Sequence, residues 1–335
     1  QIMKAIKLYL ILILSSAFQF SNAQDPIFTQ YFMVPQSINP GFAGYMETMN
    51  AGILHSTQWP DLNLKLETEY AFFNTWVEGM NSGIGINLLN HRENFTSYNY
   101  QQVNVNYAYK VELNDEWVFR PAIEVGYGIK SFGFQNLILN DQINIGSGYI
   151  SPISMDPLTG RNKMTFFDFN AGLLFNTEKL WFGAAIKHLN KPNISFTDGG
   201  NIPLSPFMSF SAGYEFDLSD HYINWIFPSD TKILVTANYM RQAEYNRLDI
   251  GAGIVLNKLY LGATAATNPI KTDNRSSMLT SINLFGGLRY ENFRFGLSYD
   301  YNTTKIGKTG GVYEIGVTYQ FDVEAKCFGC PNYSN

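Results

Sequence analysis

Phe293-Arg294-Phe295-Gly296-Leu297-Ser298-Tyr299-Asp300-Tyr301-Asn302, followed after a short break by Tyr313-Glu314-Ile315-Gly316-Val317-Thr318-Tyr319-Gln320-Phe321, is the stretch whose reading decides the fold. Large apolar side chains hold the odd positions, and charged, amide, hydroxyl or glycine residues hold the even ones. A period of two puts alternate side chains on opposite faces of an extended chain, so these are two successive strands, each with one apolar and one polar face. Phe167, Phe169, Ala171, Leu173 and Phe175 repeat the pattern against Asp168, Asn170 and Gly172, as do Val103, Val105, Tyr107 and Tyr109 against Asn104 and Asn106.

Extended over the chain, the alternation predicts strands near 47–58, 65–77, 82–91, 97–112, 116–131, 165–177, 179–189, 206–218, 231–242, 247–257, 258–267, 277–290, 292–302 and 311–321. No segment carries a helical apolar stripe. The even-numbered links are short (Glu78-Gly79-Met80-Asn81, Leu113-Asn114-Asp115, Glu178, Asn257-Lys258, Glu291), and the odd-numbered ones are mostly longer, with 132–164 and 190–205 the extremes. Ser219–Thr231 is a longer link on the short side.

Composition narrows the setting. Charged residues are 15% of the chain, against roughly a quarter in ordinary soluble domains. The 45% hydrophobic content excludes disorder, and a net charge of −5 without a Lys/Arg cluster argues against nucleic acid as a partner. Lys4 and Lys7, the apolar run Leu8–Leu14 and the small residues up to Ala23 predict a secretory signal peptide over 1–23, with Gln24 as the first mature residue. No later run is long and apolar enough for a spanning helix.

The remaining alternatives are a soluble β-sandwich and an outer-membrane barrel. Strands of about 9–12 residues, a polar face of Asn, Ser, Thr and Gly, and links that alternate short and long favour the barrel. Trp76, Tyr98, Trp117, Trp181, Tyr290 and Phe321 stand at strand ends and are expected in interfacial girdles. The expected fold is therefore all-β: a transmembrane antiparallel up-and-down barrel of about 14 strands with an N-terminal plug segment. The expected parts are a signal peptide (1–23), a lumenal or periplasmic segment (24–45), the barrel (46–321) and a periplasmic tail (322–335).

The plug follows from width, because a barrel this large is not filled by its own wall side chains. Residues 24–45 hold Ile27, Phe28, Tyr31, Phe32, Met33, Ile38 and Phe42, too many apolar groups to hang in water. Inward charges such as Lys110, Glu112, Arg120, Glu124, Lys130, Asp168, Lys187, Glu215, Asp249, Arg289, Arg294 and Asp300 are of mixed sign. They are expected to pair with one another and with the plug rather than to form a charge-selective ring. Glu314, Gly316, Tyr319 and Phe321 resemble the signal by which assembly machinery recognises a final barrel strand.

Gln24-Asp25-Pro26-Ile27-Phe28-Thr29-Gln30-Tyr31-Phe32 and Ile38-Asn39-Pro40-Gly41-Phe42-Ala43-Gly44-Tyr45 resemble the start of PorP/SprF family proteins of the type IX secretion system, and Gln58-Trp59 matches a further feature. Asp25, Pro26, Phe28, Tyr31, Asn39, Pro40 and Gly44 carry the resemblance; Gly41 stands where Ala is more usual. It implies a non-enzymatic outer-membrane component supporting secretion or surface anchoring of specific cargo, such as gliding adhesins, through the cargo's C-terminal domain. The implied partners are that cargo, a periplasmic ring lipoprotein with its associated components, and the surrounding lipid. An outer-membrane porin or a hydrophobic-solute channel of fatty-acid-transporter type is the alternative.

Chemistry is sparse. His55, His91, His188 and His221 show no metal-ligand spacing, so neither metal nor cofactor is expected. A lipolytic enzyme would need a pair such as Ser209 and His188, and no nucleophile motif supports it. Cys327 and Cys330 predict a local disulfide in an oxidising compartment, or a tail that docks a periplasmic partner. Ile143, Ile145, Tyr149, Ile150 and Phe196 mark an extracellular partner surface or a lid, and Tyr222, Trp225 and Phe227 a periplasmic surface.

Overall fold

The two-residue period becomes fourteen long strands among the residues that the computed structural model describes, which are 24–62, 64–134, 137–156, 160–218, 231–270, 278–304 and 309–321. They are β1 (Asn50–Gln58), β2 (Leu66–Val77), β3 (Ser82–Glu93), β4 (Tyr98–Tyr109), β5 (Val118–Ser131), β6 (Lys163–Asn176) and β7 (Leu180–Lys187). The second half is β8 (Phe207–Asp217), β9 (Lys232–Gln242), β10 (Tyr245–Leu256), β11 (Leu259–Thr267), β12 (Leu279–Tyr290), β13 (Phe293–Asn302) and β14 (Val312–Gln320). The expected signal peptide, the residues Tyr222, Trp225 and Phe227, and the tail with Cys327 and Cys330 lie outside the described residues.

Each strand pairs antiparallel with its sequence neighbours, and β14 closes on β1, with Asn50 opposite Gln320 and Gln58 opposite Val312. Closure leaves no sheet edge, the condition under which strands can cross hydrocarbon. Paired residues traced from Thr57 through β2 to β5 lead to Lys163 at the start of β6. Traced the other way, through β14 to β7, they lead to the far end of that strand, beside Asn176. The stagger is thus a whole 14-residue strand, which for fourteen strands sets a tilt of about 35–40°.

The apolar face points outward. Ile53, Ile123, Phe167, Leu297 and Ile315 are exposed, while Asn106, Asp168, Asn170, Ser298 and Glu314 on the opposite face are buried. An apolar exterior around a polar interior suits lipid outside and an enclosed bore within. The girdle expectation needs correction at three residues, because Trp76, Tyr98 and Trp181 share the parity of inward neighbours. The Trp76 ring lies 5.5 Å from the Arg120 guanidinium, Trp181 packs at 5.4 Å on Phe42, and Tyr98 borders a buried cluster of Tyr100, Met164, Phe166 and Leu204. In each case a buried partner outcompetes the interface. Trp117, Tyr290 and Phe321 keep the outward parity.

Two link lengths also differ from expectation. β3 runs on to Glu93, whose carboxylate accepts the Phe95 and Thr96 backbone N–H groups and so tightens the turn to β4. The β9–β10 link is only Ala243-Glu244, with Ala243 at φ 51°. β1 begins at Asn50 rather than 47, since Glu47 turns inward at φ 52°.

Candidate functional site

The inner face is contacted along its length by residues 25–48. Thr29, Gln30, Val34, Gln36, Asn39 and Ala43 are almost wholly buried, and two short 3-10 turns, Pro35–Ser37 and Pro40–Phe42, shape the segment. Prolines suit these first-turn positions because the missing N–H has no helical partner there anyway. Three polar clusters hold the segment at different heights on the wall.

The first lies beside the long links. His188, 1% exposed just past β7, is held by Asp25 at 2.7 Å on Nε2 and by Asp168 of β6 at 2.9 Å on Nδ1. The Asp25 backbone N–H donates to Gln242 at the end of β9. Burial pushes the imidazole down, but the Asp25 charge and hydrogen bonds from both carboxylates outweigh it and raise His188 from 6.5 to about 9. Burial likewise pushes the Asp25 carboxyl up, and the His188 charge and hydrogen bond pull it well below its usual range.

A pH dependence with a definite sign follows. A raised histidine contributes stability that is complete below its unfolded value near 6.5 and is lost as pH rises through about 9. The Asp25 contribution is present above 3.8 and fades only as pH falls far below that. Chymotryptic cleavage within residues 24–45 is therefore expected to be slowest near pH 5–7 and to accelerate through pH 9. In His188→Gln the step at pH 9 should vanish; its persistence there would assign the effect elsewhere.

The second cluster is at mid-height. Glu314 of β14 accepts the backbone N–H groups of Thr29 and Gln30, both at 2.9 Å, and Thr29 Oγ1 lies 3.2 Å from Ser298 Oγ on β13. Across the bore, the Asn39 carboxamide accepts from the Gly41 N–H and donates to the carbonyls of Leu173 and Ala184 on β6 and β7. Its fit depends on glycine: a Cβ on Gly172 would sit 2.2 Å from Asn39 Oδ1. The third cluster lies at the short-link end, where Glu47 binds both Arg120 and Lys110 at 2.8 Å. Tyr45 and Trp76 face the Arg120 guanidinium at 5.6 and 5.5 Å.

The family-motif residues are thus brought together on the inner wall. Asp25 meets His188, the Phe28 ring packs tilted against Tyr70, Tyr31 bonds Thr236 and Asn39 caps its turn. Pro40 opens the second 3-10 turn, and Gly44 takes φ 63° with its Cα against Gly83. Gly41 does not use its φ freedom, since it lies in the 3-10 turn against Leu174. The four insertion-signal residues divide. Glu314 and Gly316 face Gln30 and Met33, whereas Tyr319 and Phe321 stack edge to face at 4.8 Å on the outward parity. Glu47 lies outside the expected 24–45 segment, at the head of the expected first strand 47–58, and no spacing signal marks it as a partner of Arg120 and Lys110.

His188 and Ser209 do not form a lipolytic pair: Ser209 Oγ donates to the Ile38 carbonyl, and both residues are buried on the inner face. Among the expected inward charges, Glu215 pairs with Lys232 at 2.9 Å and Asp249 with Arg247 at 2.7 Å, two cations the expectation did not include, while the Glu112 side chain is largely exposed. Of the extracellular set, Ile143, Ile145, Tyr149 and Ile150 are exposed on a short hairpin pairing 143–144 with 149–150. Phe196 is not: it packs on Phe132 and Phe134 and on the buried cluster at Met164 and Leu204.

Comparison with known proteins places this geometry. No curated protein matches the chain. The P. putida toluene transporter TodX is similar in structure, with a TM-score of 0.50 at 9% identity, covering 87% of this chain and 94% of that one. A Pseudomonas aeruginosa FadL homologue gives 0.43 at 10% identity over 85% and 93%. At 9% identity the likeness to TodX speaks to the barrel fold alone. A family model, that of the type IX secretion system membrane protein PorP/SprF, matches residues 20–319, nearly the whole chain. The barrel is thus an outer-membrane component of type IX secretion, and the chain belongs to the PorP/SprF family.

Proposed function

We propose that residues 24–45 form a plug, that the barrel acts as a closed station rather than a solute channel, and that it supports secretion or surface anchoring of specific cargo through the cargo's C-terminal domain. The observation that carries this reading is the set of three polar clusters that tie one segment to walls on opposite sides of the bore. A segment fixed at Asp25, Thr29, Asn39 and Glu47 leaves a scaffold whose working surfaces are its two rims. Supporting the outer rim as the cargo side, the hairpin near Ile145 is closed by its own hydrogen bonds, with Asp141 accepting from Ser154 and Met155. It nevertheless exposes Ile145 at 95% and Met155 at 88%. The opposite, short-link rim is the proposed side for a periplasmic ring lipoprotein.

The test is purification from native membranes in mild detergent with identification of what co-purifies. A surface protein bearing a type IX C-terminal domain and a ring lipoprotein are expected, with the former lost in an Ile145→Ser/Tyr149→Ser variant. The second reading, a hydrophobic-solute channel, is favoured by a recess of about 120 Å³ lined by Phe32, Phe42, Phe72 and Trp181. It would gain if no secretion component co-purified and liposomes carrying the protein took up an aromatic hydrocarbon.

A further inference from the structure

At the short-link end of the inner wall, Arg289 of β12 stands directly opposite Arg294 of β13. On its other side, the Arg289 backbone N–H donates to the Lys258 carbonyl at 2.7 Å, which sets Lys258 of the β10–β11 link beside it. Like charges held directly opposite destabilise a sheet unless something answers them. All three cations line one recess of about 90 Å³, as does Lys232, which already has Glu215 at 2.9 Å. Among the described residues no acid lines the recess, and no carboxylate pairs with Arg289 or Lys258. Asp249 and Asp300, farther from that end of the wall, bind Arg247 instead. The body of the recess is apolar: Phe32 of the N-terminal segment, packed at 4.8 Å on Phe285 and 5.7 Å on Tyr260, forms one wall and Leu234 another. The recess of about 120 Å³ beside it shares Phe32, Leu234 and Arg294. Both volumes fall short of the ~150 Å³ of a cavity that takes a benzene ring, so a straight chain fits better than a ring.

We propose that this recess binds an amphipathic anion, a carboxylate or phosphate head on a straight aliphatic chain, from the short-link side. The head meets Arg289 and Arg294, whose planar forks match either oxyanion, and the chain lies against Phe32 and Leu234. Because Phe32 belongs to the N-terminal segment, a bound chain gains contacts that exist only while that segment is docked, and so holds it in place. The inference rests on the plug reading and goes beyond it by giving the closed end a ligand. Unlike a hydrophobic-solute channel, the site requires charge and no passage.

The test is equilibrium dialysis of octanoate, standing for a free fatty acid, and octyl phosphate, standing for a lipid headgroup. The whole barrel is held in phosphatidylcholine nanodiscs, and empty discs are subtracted. Saturable binding of one or both is expected, the tighter naming the head, with octanol and octylammonium at least about tenfold weaker. Arg289→Gln/Arg294→Gln should weaken the anions by a similar factor, and it relieves a like-charge pair, so the barrel should still fold. Leu234→Trp fills the recess with both arginines intact and should abolish binding. A bound anion should also slow chymotryptic cleavage at Phe32. Octanol bound as tightly as the anions, or anion binding undiminished in the arginine variant, overturns the site. Rapid cleavage at Phe32 in the free, unaltered barrel would instead refute the plug itself.

Discussion

Gly83→Ala is expected to expel the periplasmic half of the N-terminal segment while leaving the barrel closed. A Cβ built on Gly83 would lie 2.0 Å from the Ala43 carbonyl oxygen and 2.7 Å from the Gly44 Cα. Both neighbours are backbone, so no rotamer change relieves the clash. Gly44 cannot yield by taking another residue's place, since it sits at φ 63°. β3 itself has room for a methyl group once the segment has left. Chymotryptic cleavage at Phe42 and Tyr45 should rise by on the order of 100-fold, because a segment that no longer docks is open at nearly all times. Unchanged cleavage in a folded variant would mean that the two backbones do not meet.

Glu314→Ala should act nearly as strongly at the other end of the segment. It removes the acceptor of two buried backbone N–H groups, at Thr29 and Gln30. Each donor left unpaired costs about 1–3 kcal/mol, so the docking of this stretch should weaken by roughly 2–6 kcal/mol. Hydrogen exchange at Thr29 and Gln30 would report it directly. The same variant separates two roles of one residue, since Glu314 also belongs to the strand pattern that resembles an insertion signal. Assembly with a loosened segment points to plug docking; loss of assembled barrel points to the signal.

The wall was legible because its chemistry repeats: every strand facing lipid on one side and a polar bore on the other must alternate. That is why the fourteen strand positions read from 47–58 to 311–321 lie within a few residues of those in the structure. The segment's inward course was legible only as an apolar excess before the first strand. Its latches join residues far apart in the chain, such as Asp25 with His188 and Glu47 with Arg120, and no local period encodes such pairs. The misplaced girdle residues fail for the same reason. Trp76 and Trp181 occupy strand ends as interface aromatics do, but Arg120 and Phe42 claim them from inside. Glycines on the polar face, at Gly83 and Gly172, read as small lumenal residues. Their use, to admit another stretch of backbone or a carboxamide, becomes visible only when that stretch is in place.

The most direct measurement is a disulfide between Thr29→Cys and Ser298→Cys in a Cys327→Ser/Cys330→Ser background, assembled in the outer membrane. The two hydroxyl oxygens are 3.2 Å apart, so thiols in their place should oxidise readily without disturbing the strands. The predicted result is near-complete cross-linking, seen as a link that survives chymotryptic cleavage between residues 31 and 45. Free thiols at both positions in a folded barrel would show that the segment does not lie against the inner wall.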